Sequence, residues 1–212
     1  MTNLIVRASD TDKLMANGRA KDSYGETMLT WLKEKAVFEY FGIKKEISTK
    51  QMIKGIVCEQ QLIDLLNSIT FESYKKNEQR FVTDMFAGTP DIISGGVIRD
   101  IKSSWSAETF PWMNDDAQKI VKKNGYDWQV RVYMMLTNSN EAWVDHCLVD
   151  TPDDLLADWD DWNLHKVEHI PITKRITSVR IERDKAIEVA MIERYGVANE
   201  IYQGYLNELI NK

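Results

Sequence analysis

Apolar and polar positions along this chain follow two different rhythms, and the switches between them set out its elements. Between residues 24 and 41, Met28, Leu29, Trp31, Leu32, Val37 and Phe38 recur at helical spacing, which predicts an amphipathic helix. Ser48 is a candidate N-cap for a second helix over 49–67. Short runs rich in Phe, Val and Ile follow at 70–76, 80–86, 90–94 and 97–102. They read as strands, with Gly95-Gly96 placed to fold the last two into a hairpin. Helical spacing returns at 127–137, strands are predicted at 141–149 and 176–183, and a long helix runs from about 184 to 211. Helices, a block of strands, then strand and helix in turn predict an α/β sandwich around a mixed sheet.

Bulk composition narrows this picture. With 212 residues, 43% of them hydrophobic, the chain suits one packed domain over 1–212, and neither a repeat nor a linker divides it. No apolar stretch approaches the roughly 18 residues of a membrane span, and the N-terminus lacks a signal-peptide pattern, so a cytoplasmic location is expected. Cys58 and Cys147 are isolated in sequence, which argues against a disulfide framework, a zinc knuckle or an iron–sulfur cluster and for packing roles. The net charge of −6 is unevenly spread: residues 153–162 are strongly acidic, while Lys44, Lys45, Lys50 and Lys54 form one basic run and Lys119, Lys122 and Lys123 another. Overall acidity weakens a nucleic-acid reading without removing it, because clustered metal-binding carboxylates also lower the total. Taken alone, either basic run is read first as a solvated lysine face. The acidic segment reads as a solvated helix or an oligomer contact.

The chemistry concentrates in Thr89-Pro90-Asp91 and Asp100-Ile101-Lys102. Side chains alternate along a strand, so Asp100 and Lys102 share a face and Ile101 takes the other. The Gly-Gly turn brings residues 89–93 back beside 97–102, and with them Asp91 towards Asp100. Two carboxylates that close repel unless a cation lies between them. Hard oxygen donors suit Mg²⁺ or Mn²⁺, which also engage substrate phosphate. A surface hairpin with an exposed Asp–Lys pair fits the same residues, so this pattern alone leaves both readings open. Glu59 adds weight, since Leu62, Ile63 and Leu66 at helical offsets put it on an apolar stripe, where a carboxylate is costly without a partner. Gln129 stands in the same relation to Val132, Tyr133 and Leu136 and is a candidate for holding a catalytic or phosphate-binding group. Each has a plain alternative, a glutamate at a stripe's edge and a glutamine at a helix boundary. His146, His165 and His169 have no partner at useful spacing and read as ordinary core or surface residues. Trp105, Trp112 and Trp128 flank the motifs and read first as packing residues, with base stacking the less favoured role.

Four pieces in order, Gly55-Ile-Val-Cys-Glu59, Thr89-Pro90-Asp91, Asp100-Ile101-Lys102 and Gln129-Val-Arg-Val-Tyr133, resemble the PD-(D/E)xK nuclease superfamily, in its lambda-exonuclease-like (YqaJ and RecB-related) branch. Arg7-Ala8-Ser9-Asp10, Glu141-Ala-Trp143 and Ile181-Glu-Arg-Asp184 also resemble segments of that branch, so the likeness spans most of the chain. The resemblance implies a restriction-endonuclease-like core with a central mixed sheet flanked by helices. It implies Glu59, Asp91, Asp100 and the Ile101 carbonyl as metal ligands, Lys102 as catalytic lysine, and Gln129 and Tyr133 as supports of the site or substrate. By the same resemblance Ser9, with Arg7 or Arg19, grips a terminal DNA phosphate. The expected activity is Mg²⁺- or Mn²⁺-dependent hydrolysis of DNA, from duplex ends, in phage recombination. Expected partners are two further copies in a ring of three and a single-strand annealing protein. A restriction-type or structure-specific endonuclease is the alternative within the superfamily, and a non-catalytic DNA-binding or assembly module the alternative outside enzymes. The chain departs from many relatives in carrying Asp100 where they have Glu, which the superfamily accepts. It also lacks the cysteines of the iron–sulfur members.

Overall fold

A computed structural model describes residues 2–19, 23–45 and 47–211 of the chain. A short strand, β1 (Val6–Arg7), leads through a 3-10 turn into α1 (Thr11–Leu14), α2 (Glu26–Phe41), α3 (Lys50–Val57) and α4 (Glu59–Thr70). Four strands follow: β2 (Phe81–Val82), β3 (Phe86–Gly88), β4 (Ile92–Ser94) and β5 (Val97–Ser103). Then come α5 (Asn114–Lys123), α6 (Tyr126–Thr137), β6 (Glu141–Cys147), α7 (Trp162–His165), β7 (Ile176–Glu182) and α8 (Lys185–Ile210).

The main sheet has the order β4-β5-β6-β7. Its outer pairs are antiparallel and β5 runs parallel to β6, so the sheet is mixed. A smaller sheet puts β3 between β1, parallel to it, and β2, antiparallel. Gly95 and Gly96 both have positive φ, 57° and 78°. That is the geometry of a two-residue hairpin turn, and glycine adopts it without strain.

Strand alternation divides the main sheet into two faces. On one, Ile98, Ala142 and Val144 pack with Val130 and Met134 of α6 and with Met191 and Tyr195 of α8. Asp184 caps α8 by accepting from the Ala186 and Ile187 amides, and the helix buries Met191, Tyr195, Ala198, Tyr202 and Leu206 along the stripe facing α2 and the core. On the other face, α4 lays Leu62, Ile63, Leu65 and Leu66 over Ile92, Ile101, Cys147 and Ile176. Helices therefore cover both faces of a mixed sheet, as the sequence pattern predicts. Cys58 and Cys147 are buried and free, packed in one of these clusters. No helix among the described residues is long and apolar enough to cross a membrane.

Four sequence-based expectations need correction. The helix expected over 49–67 is two helices meeting at Cys58, and the cap of the first is Thr49, whose side chain accepts from Met52 N, rather than Ser48. The strand expected at 70–76 does not form. Helix α4 runs to Thr70 and ends at Phe71 in the left-handed region, φ 58°. Beyond it, the amide of Asn67 binds both the N–H and the C=O of Tyr74, so a side chain takes the bonds a neighbouring strand would have used. The strand expected at 80–86 shrinks to Phe81–Val82, with a separate β3 after it. The acidic stretch 153–162 is no continuous helix but a 3-10 turn at Asp153–Leu155, followed by irregular chain to the start of α7.

Lys54 overturns the reading of its basic run as solvated. It is 1% exposed, and its ammonium donates to Ser104 O (2.7 Å), Trp105 O (3.1 Å) and Val149 O (2.9 Å). Burial pushes its pKa down to about 8, yet three carbonyls saturate the three donors of the charged form. Lys54 thus ties α3 to the chain leaving β5 and β6. The Lys54→Met variant keeps most of the volume and strips those carbonyls of their donor, which is expected to cost about 2–4 kcal/mol. Urea unfolding measures it, and an unchanged midpoint at unchanged slope would show that the clamp contributes nothing.

Candidate active site

Four elements converge beside the open end of the β4–β5 hairpin. The β4–β5 ladder ends at the pair Ile92↔Arg99, and Asp91, the residue before β4, extends it with a side chain. Its Oδ2 accepts from Ile101 N at 2.7 Å. In an extended strand the N–H and C=O of one residue lie on the same edge, so the Ile101 carbonyl lies on the Asp91 side of β5. Asn77 steadies the other end of this contact: its N–H donates to Asp91 O (2.7 Å) and its side-chain amide to Pro90 O (2.9 Å).

Asp100 and Lys102 share the α6 face of β5, and Lys102 Nζ lies 2.8 Å from Asp100 Oδ2. From α6, Gln129 closes the group. Its Nε2 donates to Asp100 Oδ1 (3.2 Å) and to the Tyr133 hydroxyl (2.9 Å), while its Oε1 accepts from Lys102 Nζ (3.2 Å). The ring of Tyr126, 4.4 Å from Lys102 Nζ, forms a further wall of the ammonium site. Gly88 permits the close approach of Tyr133, since a Cβ there would stand 2.6 Å from Tyr133 Cε1. Behind the strand, Arg99 forks onto Asp145 through two 2.8 Å bonds and pins β5 to β6.

These groups perturb one another strongly. Burial raises the Asp91 carboxyl to about 7, with the Asp100 carboxylate adding to the rise against Lys102 and the Ile101 N–H. As a residue Asp91 is only partly covered, but its carboxylate faces inward among protein atoms, which is the environment that sets its titration. Burial raises Asp100 too, against the pull of Lys102. Burial alone would lower Lys102, but the carboxylates of Asp100 and Asp91 reverse that and hold it above its ordinary value. Tyr133 is pushed up to about 12 by burial and then by Asp100. His146, across from Lys102 on β6, is buried and lowered to about 4 by burial and by Lys102, so it stays neutral at working pH.

Glu59 stands differently. As the first residue of α4 it is partly exposed, and its Oε2 is bound by Lys76 Nζ at 2.6 Å rather than turned into the apolar stripe. Its charge is still felt at Asp91. Among the described residues no three acidic, histidine or cysteine side chains converge on one point: Asp91 and Asp100 lie together, and the third acid leans towards Lys76. The donors nevertheless suit a hard divalent cation. Asp100 Oδ2 is buried without a hydrogen bond, because the Lys102 ammonium beside it is near enough for an ion pair but off the hydrogen-bonding direction. The excess of buried negative charge calls for a cation.

Of the other sequence candidates, Arg7 and Ser9 are exposed and joined by a 3.2 Å bond from Nη2 to Oγ. Ala8 between them lies 3.1 Å from where a Cβ on Gly88 would stand, the point Tyr133 also approaches, so the turn that carries this pair lies beside Tyr133. Arg19 is exposed, and no hydrogen bond or ion pair among the described residues joins it to them. Trp112 is exposed, Trp105 packs edge-on to buried His165, and Trp128 is partly buried against the core. Sequence reasoning misses Lys76, Asn77, Gly88 and Tyr126. Only Tyr126 carries a signal, standing three residues before Gln129 on the same helix.

Neither a protein-family model nor a curated protein matches this sequence. Among solved structures, the chain is similar to a phage-related exonuclease from Haemophilus somnus 129PT, with 31% identity over 98% of this chain and 97% of that one and a TM-score of 0.92. It also shares the fold of an alkaline exonuclease from Laribacter hongkongensis, at 17% identity over 97% and 91% of the two chains and a TM-score of 0.64. The same enzyme in complex with dAMP matches at 18% identity over 96% and 90%, with a TM-score of 0.63.

Proposed function

This chain belongs to the lambda-exonuclease-like family of phage-related exonucleases, and on that premise we propose that residues 1–212 form one nuclease domain that hydrolyses DNA phosphodiester bonds from duplex ends. The observation that carries the proposal is the Asp91–Asp100–Lys102–Gln129 group, two carboxylates and a lysine held together across β4, β5 and α6 around the fully buried Asp100.

Glu59, Asp91, Asp100 and the Ile101 carbonyl would hold Mg²⁺ or Mn²⁺, which polarises the phosphate and lowers the pKa of a bound water. Lys102, clamped by Asp100, Gln129 and the Tyr126 ring, presents a fixed positive charge to the phosphoryl oxygens as they gain charge. Its raised pKa makes it a cation and not a general base at neutral pH. Gln129 fixes the geometry by donating to the acid and accepting from the lysine, and Tyr133 holds the amide from behind. Arg7 and Ser9 offer a cation and a hydroxyl on the turn beside Tyr133, a setting that suits a strand-end phosphate. A ring of three copies, a single-strand annealing partner and a role in phage recombination follow from the family resemblance.

The test compares 5′-phosphorylated linear duplex with a closed circle, each with Mg²⁺ and with chelator. Digestion of the linear form alone, and only with metal, is expected. Cutting of the circle would replace this reading with an endonuclease, and binding without hydrolysis would replace it with a non-catalytic module.

A further inference from the structure

The irregular segment 71–80 carries more than a connection. Lys76 bonds Glu59, a carboxylate assigned above to the metal. The next residue, Asn77, is locked to the backbone of Pro90 and Asp91, and its side chain also donates to Gln79 O at 3.0 Å. The base of the lysine is therefore anchored to the backbone of the very loop that carries Asp91. Its four-carbon stem is free: the side chain is 46% exposed and that of Glu59 32%. An ion pair this open to water is weak, because solvent screens it and ordering two long side chains offsets the attraction. A divalent ion meeting three carboxylates has a far larger claim on Glu59 than one ammonium has.

We propose that Lys76 and a divalent cation compete for Glu59, and that the displaced lysine turns to a phosphate of the bound DNA strand. The proposal rests on Glu59 being a metal ligand. One positive charge then serves two partners in succession: it neutralises an acid at the mouth of the site and afterwards holds the backbone of the strand whose ligands the metal has gathered. Lys102 cannot do this, since three groups on three sides hold it inside the site. Lys75 and Arg80 are exposed on the same segment beside Glu72 and Glu78, so the segment sets three cations against two acids and keeps a small positive excess to offer a polyanion.

Lys76→Met keeps the stem and removes the charge. Calorimetric titration with Mn²⁺ in the absence of DNA is expected to show tighter binding by the variant, up to about fivefold, the range of an exposed ion pair. Its KM for linear duplex is expected to rise, and the log–log salt dependence of KM to flatten by about 0.9, as for one phosphate contact removed. A purely structural role would move neither quantity in these opposed directions, and Lys76→Arg should restore the salt slope. Unchanged or weaker Mn²⁺ binding by Lys76→Met overturns the competition, and an unchanged salt slope overturns the transfer to phosphate. Glu59→Gln separates the premise from the inference. If that variant binds Mn²⁺ as well as the parent, Glu59 is no ligand and the metal-site reading fails first. If it binds weakly while Lys76→Met is unaltered, only the competition fails.

Discussion

Lys102→Met is expected to slow digestion of linear duplex by about a hundredfold to a thousandfold at saturating Mg²⁺, the usual cost of losing one preorganised charge from a transition state. The geometry makes the loss hard to repair. Lys102 is paired with the buried Asp100 and its charge also acts on Asp91, and neighbouring His146 is held neutral by its own burial, so it supplies no replacement charge. The same substitution strands Asp100, which is 1% exposed, and breaking a buried pair from one side costs about 3–5 kcal/mol. A fall in rate could then be mistaken for a fall in folded protein. Thermal unfolding with and without Mg²⁺ distinguishes the two, because a bound divalent ion replaces the missing positive charge and recovers part of the stability. Full stability in Mg²⁺ with a rate still down by at least about a hundredfold assigns the loss to chemistry. A rate within about tenfold of the parent would remove Lys102 from the site.

Asp91→Asn is expected to inactivate the enzyme and, in chelator, to make it more stable. The Asp91 carboxyl protonates near 7 in the folded chain, because it is buried and faces Asp100, against an ordinary 3.8. Below pH 4 both states carry the proton and Asp91 has no effect. Between about pH 4 and 7 the folded state keeps a proton that the unfolded chain has released, so stability falls as pH rises. Above 7 the penalty is complete. At 1.36 kcal/mol per unit its ceiling is about 4 kcal/mol, and the charge shared with Asp100 brings the expected gain from Asn nearer to about 2 kcal/mol. The Ile101 N–H keeps its acceptor, since asparagine offers a carbonyl oxygen at the same place. Unfolding free energies at pH 5 and pH 8 provide the check: the gap between parent and variant should be only about a third as large at the lower pH as at the higher. Equal stability at both would mean that the two carboxylates do not oppose folding, and with it the argument for a cation between them would lapse.

The sequence discloses the parts of the fold whose signals are local. Alternation along 97–102 and 176–183, the Gly-Gly turn and the long terminal helix appear in the structure close to where the pattern puts them. The pairing of Asp100 with Lys102 follows from strand parity, and Gln129 reaching them follows from its helical phase. What stays hidden depends on distant acceptors. Nothing around Lys54 tells it from Lys50, because the carbonyls that bury it come from residues 104, 105 and 149. Residues 70–76 have strand composition, but Asn67 and Asn77 supply side-chain bonds that hold 71–80 out of any sheet. Glu59 shows the limit of periodicity: its spacing places it with Leu62 and Ile63, yet at the first turn of a helix a long side chain can leave the stripe for a cation outside it.

Strand β5 also acts as a partition. Its even-numbered positions hold Asp100 and Lys102, and its odd-numbered ones hold Arg99, forked to Asp145, and Ile101, packed under α4. A slip of one residue against β6 would exchange the two sets, burying the fork where the acids belong and turning the acids towards α4. The chemistry is therefore written in the parity of a seven-residue strand, which leaves evolution free to redesign either face separately but forbids a single-residue insertion or deletion within it. Length variation in such a chain should accumulate at the glycine turn and in the connections, while the count from Val97 to Ser103 stays fixed.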